Sequence, residues 1–329
     1  MSSPAFRIRE FRDSDYEALA GVNVRSFPDH PLTPEEMRHF DRALDQNGRV
    51  PHRLTVVRPP SDEMVAMGEL AQLPSNYHPQ KYWVTVMVDP VHRRSGIGRE
   101  LYRQLEVEAR RRGGTTLWTQ LNAEEPEAVR FAGARGYAEI RRMRQSTIAL
   151  AESRTDLLGD RSAALQAQGI EFTTLAAEGA EREEARRALF RLREASSVDL
   201  PMPGERTRIT YEEFVQFLFD DPGFMAEGIF LARVGTRYVS STSLMRDGSR
   251  PEVLRIGYSG TDPDYRKRGL ATELKRRSIE YARAAGFSAI ETYNDFENPR
   301  IWSINERVGF RTIHTISTLE KSLVPAAPP

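Results

Sequence analysis

Two stretches decide the fold: residues 88–105, VDPVHRRSGIGRELYRQL, and residues 261–278, TDPDYRKRGLATELKRRS. They start 173 residues apart and share one layout, an Asp-Pro pair, a basic turn with glycine and a helix-forming run. At that offset the chain matches without a gap at Asp89 and Asp262, Arg93 and Arg266, Gly96 and Gly269, Leu101 and Leu274, and Gly113 and Gly286. A period this long exceeds that of a solenoid and predicts two copies of one domain. We place the boundary near Glu152, which gives domains 1–152 and 153–329.

Composition limits the class of protein. The 329 residues are enough for two domains that each bury a core. With 47 basic and 47 acidic side chains, the net charge favours neither nucleic acid nor an anionic membrane. The absence of cysteine excludes disulfides, thiolate zinc sites and a cysteine nucleophile. No segment has a signal-peptide pattern or a run of about 18 apolar residues, so we expect a cytoplasmic protein without a membrane partner.

The local pattern predicts a strand, a turn, a helix and another strand in each copy. Before each turn, YWVTVMV and VLRIGYS carry the β-branched and aromatic residues typical of strands. After it, Ile97, Leu101 and Leu105 recur every four residues, as Leu270 and Leu274 do, which predicts an apolar helix face. The short strands TTLWTQL and SAIETYN follow. This order is typical of a crossover between parallel strands.

The basic turns are suited to an anion. A helix start presents unpaired N–H groups and the positive end of the dipole, and glycine lets a ligand approach that backbone. Arg93, Arg94, Arg266, Lys267 and Arg268 add charge beside those donors. The spacing fits neither the P-loop nor the dinucleotide fingerprint. A turn that only caps a helix and faces water is the alternative, which the repetition of the pattern makes less favourable.

These residues resemble the GNAT acetyltransferase superfamily. The resemblance rests on Arg-x-x-Gly-x-Gly/Ala at a helix start and, in the second copy, on NDFENPRIWSINERVGF, which ends in the Gly-Phe pair. It covers nearly the whole chain, once per half, as in a tandem GNAT protein. It implies an α/β fold with two domains, each a mixed, mostly antiparallel sheet with helices on both faces and a central splayed pair of parallel strands. It also implies acetyl-CoA as the cofactor.

The resemblance assigns cofactor contacts to both copies. The diphosphate would lie on the turn and the helix start, and the pantetheine arm along the strand before it. In the second copy these positions are Gly260, Thr261, Arg266, Lys267, Arg268, Gly269, Leu270, Ala271, Thr272 and Asn298. In the first copy they are Val88, Arg93, Arg94, Ser95, Gly96, Ile97 and Gly98.

The chain departs from the family at the catalytic acid. The tyrosine that usually serves lies four residues before the Gly-Phe pair, where this chain has Asn305 and, in the first copy, Ala132. Glu291 and Tyr293 share one face of a strand, and Tyr258 lies on the strand before the turn, so these three are candidate substitutes. For each of them a structural role, as a solvated carboxylate or a packed ring, is the alternative.

The expected function is transfer of an acyl group from acetyl-CoA to a primary amine of a small molecule or peptide. The second half keeps Asn298, whereas the first has Glu125 in its place, so we expect the second half to be active and the first to be degenerate. A non-catalytic acyl-CoA-binding protein and a nucleotide-binding scaffold are the alternatives. The histidines show no metal-ligand spacing, so we expect no metal. Two copies in one chain predict a monomer that contains a pseudo-dimer.

Overall fold

The computed structural model describes residues 6–29, 31–46, 48–198, 204 and 206–324. The chain forms two compact units, neither of which is one continuous segment. The first unit contains residues 1–141, 202–209 and 317–329, and the second contains residues 142–201 and 210–316.

The first unit carries a mixed sheet with helices on both faces. Its elements are β1 (Arg7–Glu10), α1 (Tyr16–Ser26), α2 (Pro34–Asp45), β2 (His52–Arg58), β3 (Glu63–Ala71), β4 (Lys81–Val88), α3 (Ile97–Arg111), β5 (Thr116–Asn122), α4 (Pro126–Gly133) and the start of β6 (Ala138–Ala149). The strands lie in the order β1-β2-β3-β4-β5, antiparallel except for the parallel pair β4–β5.

Alternating side chains of the first sheet supply two apolar layers. Ala66 packs in the cluster that contains Leu101 and Leu105 of α3, both fully buried. Its neighbour Met67 packs with Leu19 and the other apolar residues of α1 and α2. Because successive strand side chains point to opposite faces, the two helix layers cover opposite sides of the sheet. The predicted apolar face of α3 is therefore its core face.

The second unit repeats this architecture. Its further elements are α5 (Ser162–Gln166), β7 (Glu171–Thr174), α6 (Leu175–Glu178), α7 (Glu183–Ser196), α8 (Tyr211–Leu218), β8 (Ile229–Val234), β9 (Arg237–Arg246), β10 (Val253–Thr261), α9 (Leu270–Ala284), β11 (Ala289–Asp295), α10 (Pro299–Val308) and β12 (Arg311–Ser322). The strands lie in the order β7-β8-β9-β10-β11-β6. Among the described residues of this unit, β10 and β11 alone pair in parallel. The predicted fold class, with one parallel pair inside a mostly antiparallel sheet, is confirmed in both units.

The last strand of each repeat completes the sheet of the other unit. Residues 143–149 of β6 pair with β11 of the second unit. The end of β12 lies beside β5 in the first unit, where Glu320 accepts a hydrogen bond from the indole of Trp118 at 2.9 Å. The compact units thus differ from the contiguous division at Glu152. The sequence repeat follows the order of residues along the chain, whereas a compact unit is defined by which strands pair in space. The predicted boundary of the sequence repeat, near Glu152, stays a prediction.

Candidate active site

The turn after β10 holds a left-handed backbone at two positions. Asp262 begins the turn by accepting a hydrogen bond from the amide of Asp264 at 3.1 Å, and it pairs with Arg237 at 2.7 Å. Lys267 and Gly269 have φ angles of +63° and +90°. Only glycine adopts such angles without strain, which explains the residue at the helix start. The helix α9 begins directly after this turn.

The start of α9 leaves its backbone donors available. In the described part of the chain no side chain caps this helix. Its first internal bond runs from the amide of Glu273 to the carbonyl of Gly269. The preceding amides, of Leu270, Ala271 and Thr272, therefore have no acceptor within the helix. Together with the positive end of the helix dipole, these donors form a site that fits a diphosphate.

Arginine side chains surround the turn. Arg266 donates to the carbonyl of Thr261 at 3.2 Å, which fixes its guanidinium against the end of β10. Arg161, just before α5, has a guanidinium nitrogen 3.2 Å from where a Cβ on Gly269 would lie. No sequence pattern points to Arg161, because it lies far from the turn along the chain. It adds a cation at the point of closest backbone approach.

A buried carboxylate lies in the first turn of α9. Glu273 is fully buried and accepts hydrogen bonds from Arg276 at 2.6 Å, Arg277 at 2.8 Å and Ser162 at 2.8 Å. Burial alone would raise its pKa, but these hydrogen bonds outweigh burial and lower the pKa. The ionised carboxylate is thus compensated by two guanidinium groups, so it does not oppose an anion at the turn.

The first unit repeats the turn conformation. Asp89 accepts a hydrogen bond from the amide of Val91 at 3.1 Å, and Arg94 and Gly96 have φ angles of +64° and +88°. The start of α3, at Ile97, has no side-chain cap among the described residues. The backbone of the turn alone does not distinguish the two units.

The strands that lead into the two turns do differ. In the first unit β3 and β4 pair without interruption up to Val88. In the second unit the pairing of β9 and β10 shifts between Ile256 and Tyr258, so Gly257 forms a bulge. A bulge re-aims the residues that follow it. Because β10 pairs with β11 only from Val253 to Arg255, the end of β10 borders a cleft between two diverging strands.

Tyr258 lies just after the bulge and packs against the end of α7. Its hydroxyl is 2.8 Å from Oγ of Ser196. Ser196 Oγ also lies 2.6 Å from the carbonyl of Leu192, to which it donates. A serine hydroxyl has one proton, so Tyr258 must be the donor in the bond between the two hydroxyls. A lone pair on the tyrosine oxygen therefore remains able to accept a further hydrogen bond.

Gly260 and Arg193 lie against the side chain of Tyr258. A Cβ on Gly260 would lie 2.5 Å from Ser196 Oγ and 2.6 Å from the tyrosine hydroxyl, so only glycine fits there. The guanidinium carbon of Arg193 lies 3.9 Å from the centroid of the Tyr258 ring. Sequence reasoning singled out Tyr258 and Gly260 but missed Ser196 and Arg193, which the fold of α7 brings to them.

Glu291 is not available as a free carboxylate. It is buried, and both of its oxygens accept hydrogen bonds from Arg250, at 2.8 and 3.0 Å. Arg250 also pairs with Asp247 at 2.8 Å. The structure therefore places this predicted catalytic residue in an ion-pair network next to the β9–β10 connection.

The other predicted residues occupy different surroundings. Tyr293 is 40% exposed on β11. Asn305 is fully buried, and its amide nitrogen donates to Asn294 Oδ1 at 2.6 Å. Asn298 caps α10, with its side-chain oxygen accepting from the amide of Ile301 at 3.4 Å. Asn298 thus has a structural task that is independent of any ligand.

The described ranges contain neither a metal-binding cluster nor a membrane-spanning helix. Within the described ranges, no group of three or more His, Asp or Glu side chains is arranged to hold a metal ion. None of the helices in those ranges combines the length and the apolar character needed to cross a membrane.

Comparison with known proteins gives consistent matches. The family model described as "Acetyltransferase (GNAT) family" matches residues 14–137 and 189–310. A mycothiol acetyltransferase from Clavibacter sepedonicus is 27% identical over 227 residues, which are 69% of this chain and 68% of that protein. A GCN5-related N-acetyltransferase structure from Sphaerobacter thermophilus superposes with a TM-score of 0.68 at 19% identity, over 99% of this chain and 98% of that one. A tandem GNAT protein from the clavulanic acid biosynthesis pathway gives 0.74 at 18% identity, over 98% and 100%. The two solved structures share the fold.

Proposed function

Because the chain belongs to the acetyltransferase (GNAT) family and is therefore an acyltransferase, we propose that its second unit transfers an acetyl group from acetyl-CoA to a primary amine. The acceptor is a small molecule or a peptide. The observation that carries the proposal is the uncapped start of α9 at the turn that follows a bulged strand, an arrangement that the first unit has only in part.

The second turn has the groups that the cofactor requires. The amides of Leu270, Ala271 and Thr272 would hold its diphosphate, and Arg161 and Arg266 would balance the charge. When bound, acetyl-CoA supplies an activated acetyl thioester. The backbone of β10 after the bulge borders the cleft, where an N–H group could polarise a carbonyl.

We assign to Tyr258 the positioning of the acceptor. Its proton is directed at Ser196, so its oxygen would accept a hydrogen bond from an N–H of the amine and hold the nitrogen beside β10. Tyr293, on the exposed part of β11, is the proposed proton donor to the leaving thiolate. Asn305 and Glu291 are assigned structural tasks, because their polar atoms are engaged by Asn294 and Arg250.

The test measures the release of the CoA thiol from acetyl-CoA in the presence of a panel of small-molecule and peptide amines. It compares two matched glycine variants. Gly269→Val places a β-branched side chain at a φ of +90° and 3.1 Å from Arg161, so it should abolish cofactor binding at the second turn. Gly96→Val is the matched control at the first turn. We expect activity to be lost in the first variant and kept in the second, after circular dichroism shows that both fold. If Gly96→Val loses activity and Gly269→Val keeps it, catalysis belongs to the first unit. If both variants keep their activity, the proposed cofactor site is refuted.

A second pair of variants tests the acceptor. Tyr258→Phe removes one neutral hydrogen bond, worth about 1 kcal/mol, so the KM for the amine should rise about five-fold with a smaller change in kcat. Ser196→Ala keeps the tyrosine hydroxyl but frees its proton, and should give an intermediate KM. An unchanged KM in Tyr258→Phe would remove the tyrosine from the acceptor site.

A further inference from the structure

Three equivalent positions of the two repeats differ in polarity. In the first unit these positions are apolar and pack in the core: Leu121, Ala132 and Leu319. At the same 173-residue spacing, the second unit has polar residues there: Asn294, Asn305 and Ser146. The first unit shows that the fold accepts apolar side chains at all three positions. The polar residues of the second unit are therefore not required by the architecture.

These polar side chains are held at a cost to stability. Asn305 and Ser146 are both fully buried. Among the described residues, neither Oδ1 of Asn305 nor Oγ of Ser146 has a hydrogen-bond partner. A buried polar atom without a partner destabilises the folded state. Residues that the fold does not require and that lower its stability indicate a role in function.

Asn305 fixes the orientation of Asn294. Its amide nitrogen donates to Asn294 Oδ1 at 2.6 Å. Because a carboxamide is planar and its oxygen is engaged, the NH₂ group of Asn294 is directed away from Asn305. Within the described ranges, no group accepts a hydrogen bond from that NH₂ group. Asn294 is half-buried, in contrast to Asn305, so it remains open to a ligand.

Asn294 borders the cleft opposite Tyr258. The last parallel pair of β10 and β11 is Arg255 with Glu291. Tyr258 lies three residues beyond that pair on β10 and Asn294 three residues beyond it on β11, so each is about 10 Å past the pair. The backbone of β10 that could polarise the carbonyl of the thioester therefore lies across the cleft from Asn294.

We propose that Asn294 donates a hydrogen bond to the sulfur of the leaving thiolate and that Asn305 positions it. The inference rests on the proposed acetyl transfer by the second unit. In that step the amine nitrogen bonds to the acetyl carbon, the C–S bond breaks, and its electron pair stays on sulfur. Asn294 keeps its protons, because the amine loses one proton to solvent and Tyr293 gives one to the thiolate. A hydrogen bond to an anion is stronger than one to a neutral thioester, so Asn294 stabilises the step rather than the bound substrate.

Substitutions taken from the first repeat test this role. Asn294→Leu and Asn305→Ala introduce the side chains that the equivalent positions already carry, so both variants should be at least as stable as the parent in urea unfolding. Asn294→Asp keeps the size of the side chain and an acceptor for Asn305, but it lacks the N–H donor. Ser146→Ala is the matched control, because Ser146 lies on the same face of the sheet as Asn294 and makes no hydrogen bond to it.

Thiol release in a single turnover at saturating amine measures the chemical step. Asn294→Leu and Asn294→Asp should slow it about ten-fold to hundred-fold, with little change in the dependence on acetyl-CoA concentration. Asn305→Ala should slow it less and should add nothing to Asn294→Leu, since Asn305 acts through Asn294. Ser146→Ala should react like the parent. If Asn294→Leu releases the thiol as fast as the parent, the proposal is overturned.

Ultraviolet absorbance of the thiolate of bound CoA gives a readout that needs no catalysis. CoA is titrated with pH on Gly96→Val protein, in which the first turn is blocked, with and without each further substitution. The bound thiol should ionise at a higher pH in Asn294→Leu than without it, and Ser146→Ala should cause no change. If no amine is acetylated but this difference is present, the proposed transfer is wrong and the contact of Asn294 with sulfur stands. If the difference is absent, or if CoA does not bind, the proposal is overturned.

Discussion

Replacing Lys275 by methionine should stabilise the protein. Lys275 lies on α9, is 3% exposed and has no ion pair with any described residue. Its amine is 5.3 Å from the centroid of the Phe310 ring. Burial lowers its pKa to about 7. The equivalent position in the first unit is Tyr102, so the repeat also accommodates an uncharged side chain there.

The size of the effect follows from the pKa difference between the folded and unfolded states. The unfolded lysine has its ordinary pKa of 10.5, whereas the folded one has a pKa of about 7. Between these values the unfolded chain binds a proton that the folded chain does not, so stability rises with pH over this window. Since one pKa unit corresponds to about 1.4 kcal/mol, keeping the amine neutral at pH 8 costs about 3 kcal/mol. Methionine has a similar length and no charge, so Lys275→Met should recover most of that cost.

Urea unfolding monitored by circular dichroism at pH 7, 8 and 9.5 measures both the change in the free energy of unfolding and its pH dependence. The parent should gain stability across this series, and Lys275→Met should be more stable at pH 8 with a flatter profile. Lys321→Met is the contrasting control, because Lys321 has Glu106 at 2.6 Å and Tyr102 at 3.0 Å, and its loss should destabilise the protein. If Lys275→Met is no more stable than the parent at pH 8, or keeps the parent's pH dependence, the reasoning from burial is refuted.

Three other perturbations have defined outcomes. Gly260→Ala puts a Cβ 2.5 Å from Ser196 Oγ, so it should cost about 1–3 kcal/mol in urea unfolding and raise the KM for the amine; unchanged values would contradict the packing. Glu273→Gln removes the anion that Arg277 pairs with and leaves Arg276 paired with Glu280, and it should cost about 3 kcal/mol at pH 7. Because the folded pKa of Glu273 is lowered, this deficit should shrink as pH falls through 4.5 and below, which acid-unfolding curves would show. A chain ending at Ile316 should expose Trp118 and shift its fluorescence to the red, because the strand that covers β5 is missing; an unchanged spectrum would argue against the strand exchange.

The sequence by itself determined the repeated turn and the helices that follow it. Gly96 and Gly269 both lie where the backbone is left-handed, and both helices begin at the next residue. Such features depend on residue type and on neighbours within a few positions, so the local pattern carries them. The sequence also determined the pair of parallel strands, because a strand–helix–strand segment of this length forms a crossover between parallel strands.

Tertiary structure alone decided which strand completes each sheet and which side chains surround the site. Arg161 reaches Gly269, Ser196 orients Tyr258, and Arg250 engages Glu291, although each of these pairs is far apart in the chain. The exchange of the last strands likewise depends on tertiary pairing, which places β6 beside β11 and β12 beside β5. Closing a longer loop costs little extra free energy, so distance along the chain hardly restricts these choices. Packing and charge compensation in the folded state decide them, and a single sequence does not display either one.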